Sequence, residues 1–288
     1  MLIKKVNNYL SLVKFSHTIF AMPFALIGFT LGVSRPDSTF SFLLLLKIVL
    51  CMIFARTAAM AFNRYIDRDI DKVNQRTENR EIPGGIVKPT SALSLVILSS
   101  LAFITTTYFI NKICFYLSPV ALLVVLGYSF TKRFTWLCHL ILGIGLSLAP
   151  IGAYLAVTGE FNLLPLLFSF TVLTWVSGFD IIYALQDEEF DRKLNLHSMP
   201  AAFGKSRALT ISVILHLISI GFVFLAGLYL PFGKIYWLGA AVFSILVVYQ
   251  HLLVKPNDLS KVNLAFFTTN GIASIAFATF VISDLLLK

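Results

Sequence analysis

Long apolar runs alternate with short polar clusters along the whole chain. Nine apolar segments stand out, at about 18–34, 41–62, 90–110, 115–130, 137–158, 163–183, 207–230, 234–254 and 262–286. Most approach the ~20 residues with which an α-helix crosses a bilayer. A transmembrane barrel would instead show short segments alternating between apolar and polar positions. Most breaks carry Gly, Pro, Asn or charge, as at Arg35, Pro36 and Asp37, at Gly159 and Glu160, and at Lys255 to Asp258. The pattern predicts an all-α membrane protein of nine transmembrane helices, with residues 1–288 forming a single domain. The run near 18–33 is long for the core of a signal peptide, and no small-residue cleavage pattern follows it. It is expected to remain as the first span.

Composition agrees with this reading. Hydrophobic residues make up 58% of the chain and charged residues 13%, against about 25% charged in a soluble domain. Too few polar groups are present to cover a globular surface, which excludes a soluble enzyme and a disordered chain. The net charge of +9 is unevenly placed: 17 of the 23 Lys and Arg fall on the side that carries the N-terminus, five on the other, and Arg56 lies inside the second segment. Such a bias marks the cytoplasmic face. The expected location is the inner (cytoplasmic) membrane, with several passes and the long loops in the cytoplasm. Topology thus accounts for the basic residues, and the expected partner is the lipid bilayer, with no nucleic acid. Cys51, Cys114 and Cys138 have no metal-binding or redox spacing. His17, His139, His197, His216 and His251 are scattered, so both groups are expected to serve as packing residues.

The two longest loops repeat each other. Asn63, Asp67 and Asp71 are spaced four apart as the second segment ends, and Tyr183, Asp187 and Asp191 do the same at the end of the sixth. Each set is followed by an apolar residue, Pro, two small residues, an apolar residue, one more position and Lys, at 82–88 and 199–205. Four spans separate the loops, so the repeat is parallel and both acidic sets face the same side. At about 100° per residue, each set lies along one helical face. Asp180, seven residues before Asp187, continues the second stripe. A single stripe is better explained by pairing with Arg64, Arg68 and Lys72 or by a solvated helix end. Like charges four apart repel, and carboxylates at the ends of spans are costly. Two stripes in one repeated context therefore point to a shared hard cation. Oxygen-only ligands suit Mg²⁺ or Ca²⁺, and Mg²⁺ completes its shell with water and phosphate, which suggests a Mg²⁺-bridged diphosphate. Arg56, on the same face as Asn63 but deeper, suits either an internal ion pair or a contact to phosphate oxygens.

These residues resemble the UbiA-type intramembrane aromatic prenyltransferases. Their two signature motifs match Asn63, Asp67 and Asp71, and Asp180, Tyr183, Asp187 and Asp191. The likeness extends to Lys14 to Thr18, Arg56, the stretch from Arg76 through Arg80 to Pro83, and Tyr128 with Lys132 and Arg133. It is greatest to the 4-hydroxybenzoate polyprenyltransferases. One departure is Arg64, where many members carry Asp. The resemblance implies a nine-helix bundle around a central cavity, and Mg²⁺-dependent transfer of a polyprenyl group from polyprenyl diphosphate to a small aromatic acceptor in quinone biosynthesis. It implies that Asn63, Asp67 and Asp71 hold one Mg²⁺ and Asp187 and Asp191 a second. These four aspartates are the catalytic candidates. Lys14, Arg56, Arg68, Lys72, Lys132, Arg133, Asp180 and Tyr183 are the substrate-binding candidates. A naphthoate, a futalosine-derived aromatic or a porphyrin are alternative acceptors. A transporter or a non-catalytic lipid-binding protein are readings of other classes.

Overall fold

A computed structural model describes residues 8–13 and 20–287. Lys14, a candidate phosphate contact, lies outside the described residues. The chain is helical: α1 Met22–Val33, α2 Phe42–Ile66, α3 Arg68–Val73, α4 Pro89–Tyr108, α5 Lys112–Thr131, α6 Cys138–Thr158, α7 Leu163–Ala184, α8 Glu188–Lys193, α9 Met199–Phe203, α10 Lys205–Tyr229, α11 Lys234–Leu253 and α12 Asn270–Leu286. A 3₁₀ turn, Leu185–Asp187, joins α7 to α8, and a π-helical segment, Leu264–Thr269, leads into α12. The only β pairing among the described residues is an isolated bridge between Lys255 and Asp258.

Eight helices among the described residues are long and apolar enough to cross a membrane, as expected of a multi-pass membrane protein. The first expected span appears as the 12-residue α1, shorter than the 17 residues marked by the apolar run. Prolines mark several helix starts, at Pro23, Pro89 and Pro200, where a missing amide hydrogen costs nothing. Gly159, at φ 69°, closes α6 in the left-handed conformation that favours glycine.

Residues 8–13 and 46–130 form one compact unit, and residues 20–45 and 131–287 another. The first has a small core of Leu12, Ala61, Ile82, Val87, Ala92 and Val96, set where the chain returns from α3 to α4. Much of α4 and α5 is exposed as side chains suited to lipid, among them Leu98, Leu101, Tyr116 and Leu123. The second unit is built around α7, which packs against both α6 and α10 and buries Trp175, Phe168 and Phe179.

Lipid tails are as apolar as leucine, so helices in a membrane associate through close packing and interhelical hydrogen bonds. The second unit uses both. Gly28 and Gly32 of α1, four residues apart, lie against Pro150 and Val157 of α6, and a Cβ at Gly28 would run into the Pro150 carbonyl. Ser212 Oγ donates to Gly178 O at 2.7 Å, Ser219 Oγ to Thr171 O at 3.0 Å, and Trp175 Nε1 to Asn270 Oδ1 at 3.0 Å. Overpacking a tight contact costs about 1–3 kcal/mol. Gly28→Ala should therefore lower the midpoint of thermal unfolding in detergent, whereas Gly127→Ala, in open space on α5, should leave it unchanged.

Candidate active site

The first acidic motif lies in the first unit. Asp67 alone separates α2 from α3, at φ −88°, ψ 2°, in the sparsely populated bridge region. The i to i−4 bonds continue through it: Asp67 N donates to Asn63 O at 2.9 Å and Asp71 N to Asp67 O at 2.7 Å. The stripe expected on one continuous helix thus survives a change from one helix to the next. Asp67 and Asp71 are 2% and 4% exposed. Asn63 Nδ2 donates to Asp67 Oδ2 at 3.1 Å, which commits the amide nitrogen and keeps the Asn63 oxygen as a donor atom for a cation.

Asp71 is held by cations of its own chain. Arg80 Nη1 donates to Oδ1 at 2.7 Å, and Arg64 Nη1 lies 4.0 Å from Oδ2. Oδ2 is buried and accepts no hydrogen bond. Thr77 Oγ1 donates to the Asp71 carbonyl at 3.1 Å and ties the following turn to the same point. Of the cations expected beside this stripe, Arg64 is buried against it. Arg68 turns back instead: it bonds Tyr65 O at 2.8 Å, covers the Tyr65 ring at 4.8 Å and pairs with Asp69 at 3.6 Å. Lys72 is exposed. Arg56 sits half-buried in α2 and interacts electrostatically with Tyr128.

The second motif, in the second unit, repeats the first in backbone as well as in sequence. Asp187 precedes a helix of six residues, as Asp67 does, with φ −102°, ψ 3°. Asp191 is the fourth residue of α8, as Asp71 is of α3. The Ser198 hydroxyl and the Lys132 ammonium both act electrostatically on the Asp191 carboxylate. Ser198 also caps α9 by accepting from Ala201 N at 3.3 Å. Arg133, next to Lys132, is half-exposed. Glu188, off the stripe, is paired with Arg192 at 3.0 Å and Lys205 at 3.8 Å. The Tyr183 ring stacks near Phe266, with centroids 4.3 Å apart, and Phe266 in turn meets Phe179 at 5.3 Å. Asp180 accepts from His139 Nδ1 at 2.6 Å.

Sequence reasoning assigned no role in the site to Arg80 or Ser198, and expected His139 to be a packing residue. Arg80 had a signal, because it lies in a matched motif. His139 had none, since its partners lie 41 and 60 residues away. Among the described residues no three His, Cys, Asp or Glu side chains gather as a metal cluster. The donors come instead as short oxygen sets, which suits a cation that typically takes one or two carboxylates and fills its shell with water and phosphate. The buried, unbonded Asp71 Oδ2 and the amide oxygen of Asn63 fit such an ion.

The model of the UbiA prenyltransferase family matches residues 21–272. The chain belongs to the UbiA prenyltransferase family. It is an aromatic polyprenyltransferase, and membership overturns the transporter and non-catalytic lipid-binding readings. The protein named 4-hydroxybenzoate octaprenyltransferase from Paraburkholderia phymatum is 32% identical over 235 residues, 82% of each chain. One of the same name from Aliivibrio fischeri strain ES114 is 30% identical over 237 residues, 81% of each. Among solved structures, the apo UbiA homolog from Aeropyrum pernix K1 aligns with a TM-score of 0.80 at 27% identity, over 94% of this chain and 97% of that one. A UbiA homolog from Archaeoglobus fulgidus bound to DMAPP and Mg²⁺ aligns with a TM-score of 0.72 at 20% identity, over 98% and 100%.

Removing Arg80 strands a buried carboxylate, and an unsatisfied buried acceptor costs about 1–3 kcal/mol. Arg80→Ala is expected to lower the unfolding midpoint, and the double variant Arg80→Ala with Asp71→Asn to recover part of the loss. Thermal unfolding of both in detergent checks this.

Proposed function

We propose that this enzyme transfers a polyprenyl group from polyprenyl diphosphate to 4-hydroxybenzoate, in quinone biosynthesis, with Mg²⁺ as cofactor. The observation that carries the reading is the doubled acidic motif: two bridge-region aspartates, each followed four residues later by a second aspartate. The names of the relatives support the acceptor, and the DMAPP and Mg²⁺ bound by the Archaeoglobus fulgidus homolog support the donor class. We further infer that residues 1–288 act as one domain, and that the acidic loops lie on the cytoplasmic side of the inner membrane, from the 17 basic residues placed there.

Asn63, Asp67 and Asp71 would hold one Mg²⁺, and Asp187 and Asp191 a second. The bound cations supply positive charge that offsets the departing diphosphate. Arg56, Lys132 and Arg133 add donors for phosphate oxygens or for the acceptor carboxylate, and Lys14, Arg68 and Lys72 complete the candidate set. Arg68 would first have to leave Tyr65 and Asp69. The allylic C–O bond breaks and its electron pair leaves with the diphosphate. Aromatic side chains such as Phe179, Tyr183 and Phe266, grouped beside the second motif, exclude water and stabilise positive charge on the prenyl fragment. The ring carbon ortho to the acceptor hydroxyl forms the new C–C bond, and loss of its proton restores aromaticity.

Two measurements test this reading. In membranes supplied with labelled prenyl diphosphate, Asp67→Asn and Asp191→Asn should each lower turnover by at least about tenfold, and EDTA should abolish transfer until Mg²⁺ is restored. Unchanged turnover in both variants would remove the metal clamp. In a panel of acceptors analysed by product mass, transfer to 4-hydroxybenzoate is expected. Transfer to a naphthoate, a futalosine-derived aromatic or a porphyrin alone would replace the acceptor and keep the clamp.

A further inference from the structure

His139 is the second residue of α6, buried at 3% exposure. An imidazole in such a place is costly unless both ring nitrogens are satisfied. Both are. The Met199 amide donates to Nε2 at 3.3 Å, and Nδ1 lies 2.6 Å from Asp180 Oδ2. A nitrogen that accepts an amide hydrogen carries no proton of its own. The ring proton therefore sits on Nδ1 and is donated to Asp180. Geometry alone selects this tautomer.

The ring is also locked from several sides. Ser177 Oγ of α7 donates to the His139 carbonyl at 3.2 Å. Gly143, one turn further along α6, has no room for a Cβ against Ser177 and Leu173, so α6 and α7 lie in close contact here. The segment just before α6 is stitched to the loop before α9: His197 N donates to Lys132 O at 2.6 Å, and Cys138 Sγ lies 3.4 Å from His197 O. The partner of this fixed ring is different in kind. The Asp180 side chain is 23% exposed, and it belongs to the stripe of Tyr183 and Asp187. A partly exposed carboxylate has freedom to rotate, and the bond from His139 engages one of its oxygens and removes that freedom.

We propose that His139 is the positioning residue of Asp180: its Nδ1–H, fixed by the Met199 amide on Nε2, holds the Asp180 carboxylate in one rotamer for substrate binding. The proposal rests on the functional reading above for what Asp180 binds. Through the Met199 amide, the bond also couples the carboxylate to the start of α9. Outer partners of this kind typically cost about 10- to 100-fold when removed.

The experiment uses the full chain in lipid nanodiscs: wild type, Asp180→Asn, His139→Leu, His139→Asn and the double variant Asp180→Asn with His139→Leu. kcat and KM are measured for prenyl diphosphate and for 4-hydroxybenzoate. His139→Leu is expected to lower kcat/KM about tenfold, through the same kinetic parameter and for the same substrate as Asp180→Asn. In the Asp180→Asn background it should have no further effect. His139→Asn, which keeps an N–H near the Nδ1 position, should recover most of the loss. A bolt that merely packed α6 on α7 would weaken the enzyme equally in both backgrounds, and that multiplicative result would overturn the proposal. So would an Asp180→Asn variant with wild-type kinetics. The ¹⁵N spectrum of histidine-labelled protein reads the bond without catalysis: His139 should show its proton on Nδ1, with a resonance that moves in Asp180→Asn. A proton on Nε2 would overturn the assignment even where a variant fails to fold. Wild type that transfers no prenyl group, yet shows the Nδ1 proton, would sink the functional reading and leave the positioning bond standing.

Discussion

A carboxylate at the end of a membrane span needs a partner, because the hydrocarbon beside it supplies none. Much of the loop architecture follows from that constraint. Asp71 draws Arg80 back across nine residues of turn, and Arg64 comes up beneath it from α2. The chain between α3 and α4 is therefore folded against the end of its own span. Glu188 holds Arg192 and Lys205 in the same way, which anchors the start of α10. Such pairs are weak evidence of net stability, since two charges must be desolvated to form them. Their consequence is geometric: each fixes where a second polar group stands.

The spans themselves are held by a different kind of contact. Apolar burial has little driving force among lipid tails, so the second unit relies on small residues and buried hydrogen bonds. Gly178 illustrates how one residue serves the site. It leaves space for the His216 ring, and its carbonyl receives the Ser212 hydroxyl. That contact fixes α7 against α10 two residues before Asp180. The π-helical segment before α12 performs a related task. Asn270 Nδ2 reaches the carbonyls of Ala265 and Phe266, while its oxygen accepts from Trp175 and Gln250. Phe266, carried by this segment, stacks near Tyr183 of the second motif.

The spans and the repeat were legible because both are periodic. Runs of about 20 apolar residues and polar sets four apart survive any detail of packing. The doubled aspartates were legible for the same reason. The helix break at Asp67 and Asp187 was not legible, since both residues keep the i to i−4 spacing that a straight helix shows. Arg68 illustrates a second limit. Spacing placed it beside the acidic stripe, but a guanidinium on a long stem found the Tyr65 carbonyl and ring at closer range. His139 illustrates a third: its partners, Asp180 and Met199, lie 41 and 60 residues away, and no local pattern encodes them. The shortness of α1 was hidden too, because apolar composition continues beyond the helical residues.

The two halves of the repeat satisfy their carboxylates by different chemistry. Asp71 meets two guanidinium groups, whose positive charge opposes its own directly. Asp180 meets the Nδ1–H of His139, and Asp191 lies within the influence of the Ser198 hydroxyl and the Lys132 ammonium. A neutral donor fixes direction and leaves the carboxylate's charge in place, whereas a guanidinium fixes direction and cancels charge. The same backbone device, a bridge-region aspartate ahead of a six-residue helix, is thus set in two electrostatic environments. In the proposed reaction a cation must be held at each motif while a diphosphate carrying negative charge departs. In that proposal the arginines at the first motif would turn part of their charge to phosphate oxygens, and the second motif, with fewer fixed cations, would keep more of its attraction for a bound cation. Sequence repetition preserved the aspartates, and divergence of their partners is what makes the two motifs unequal.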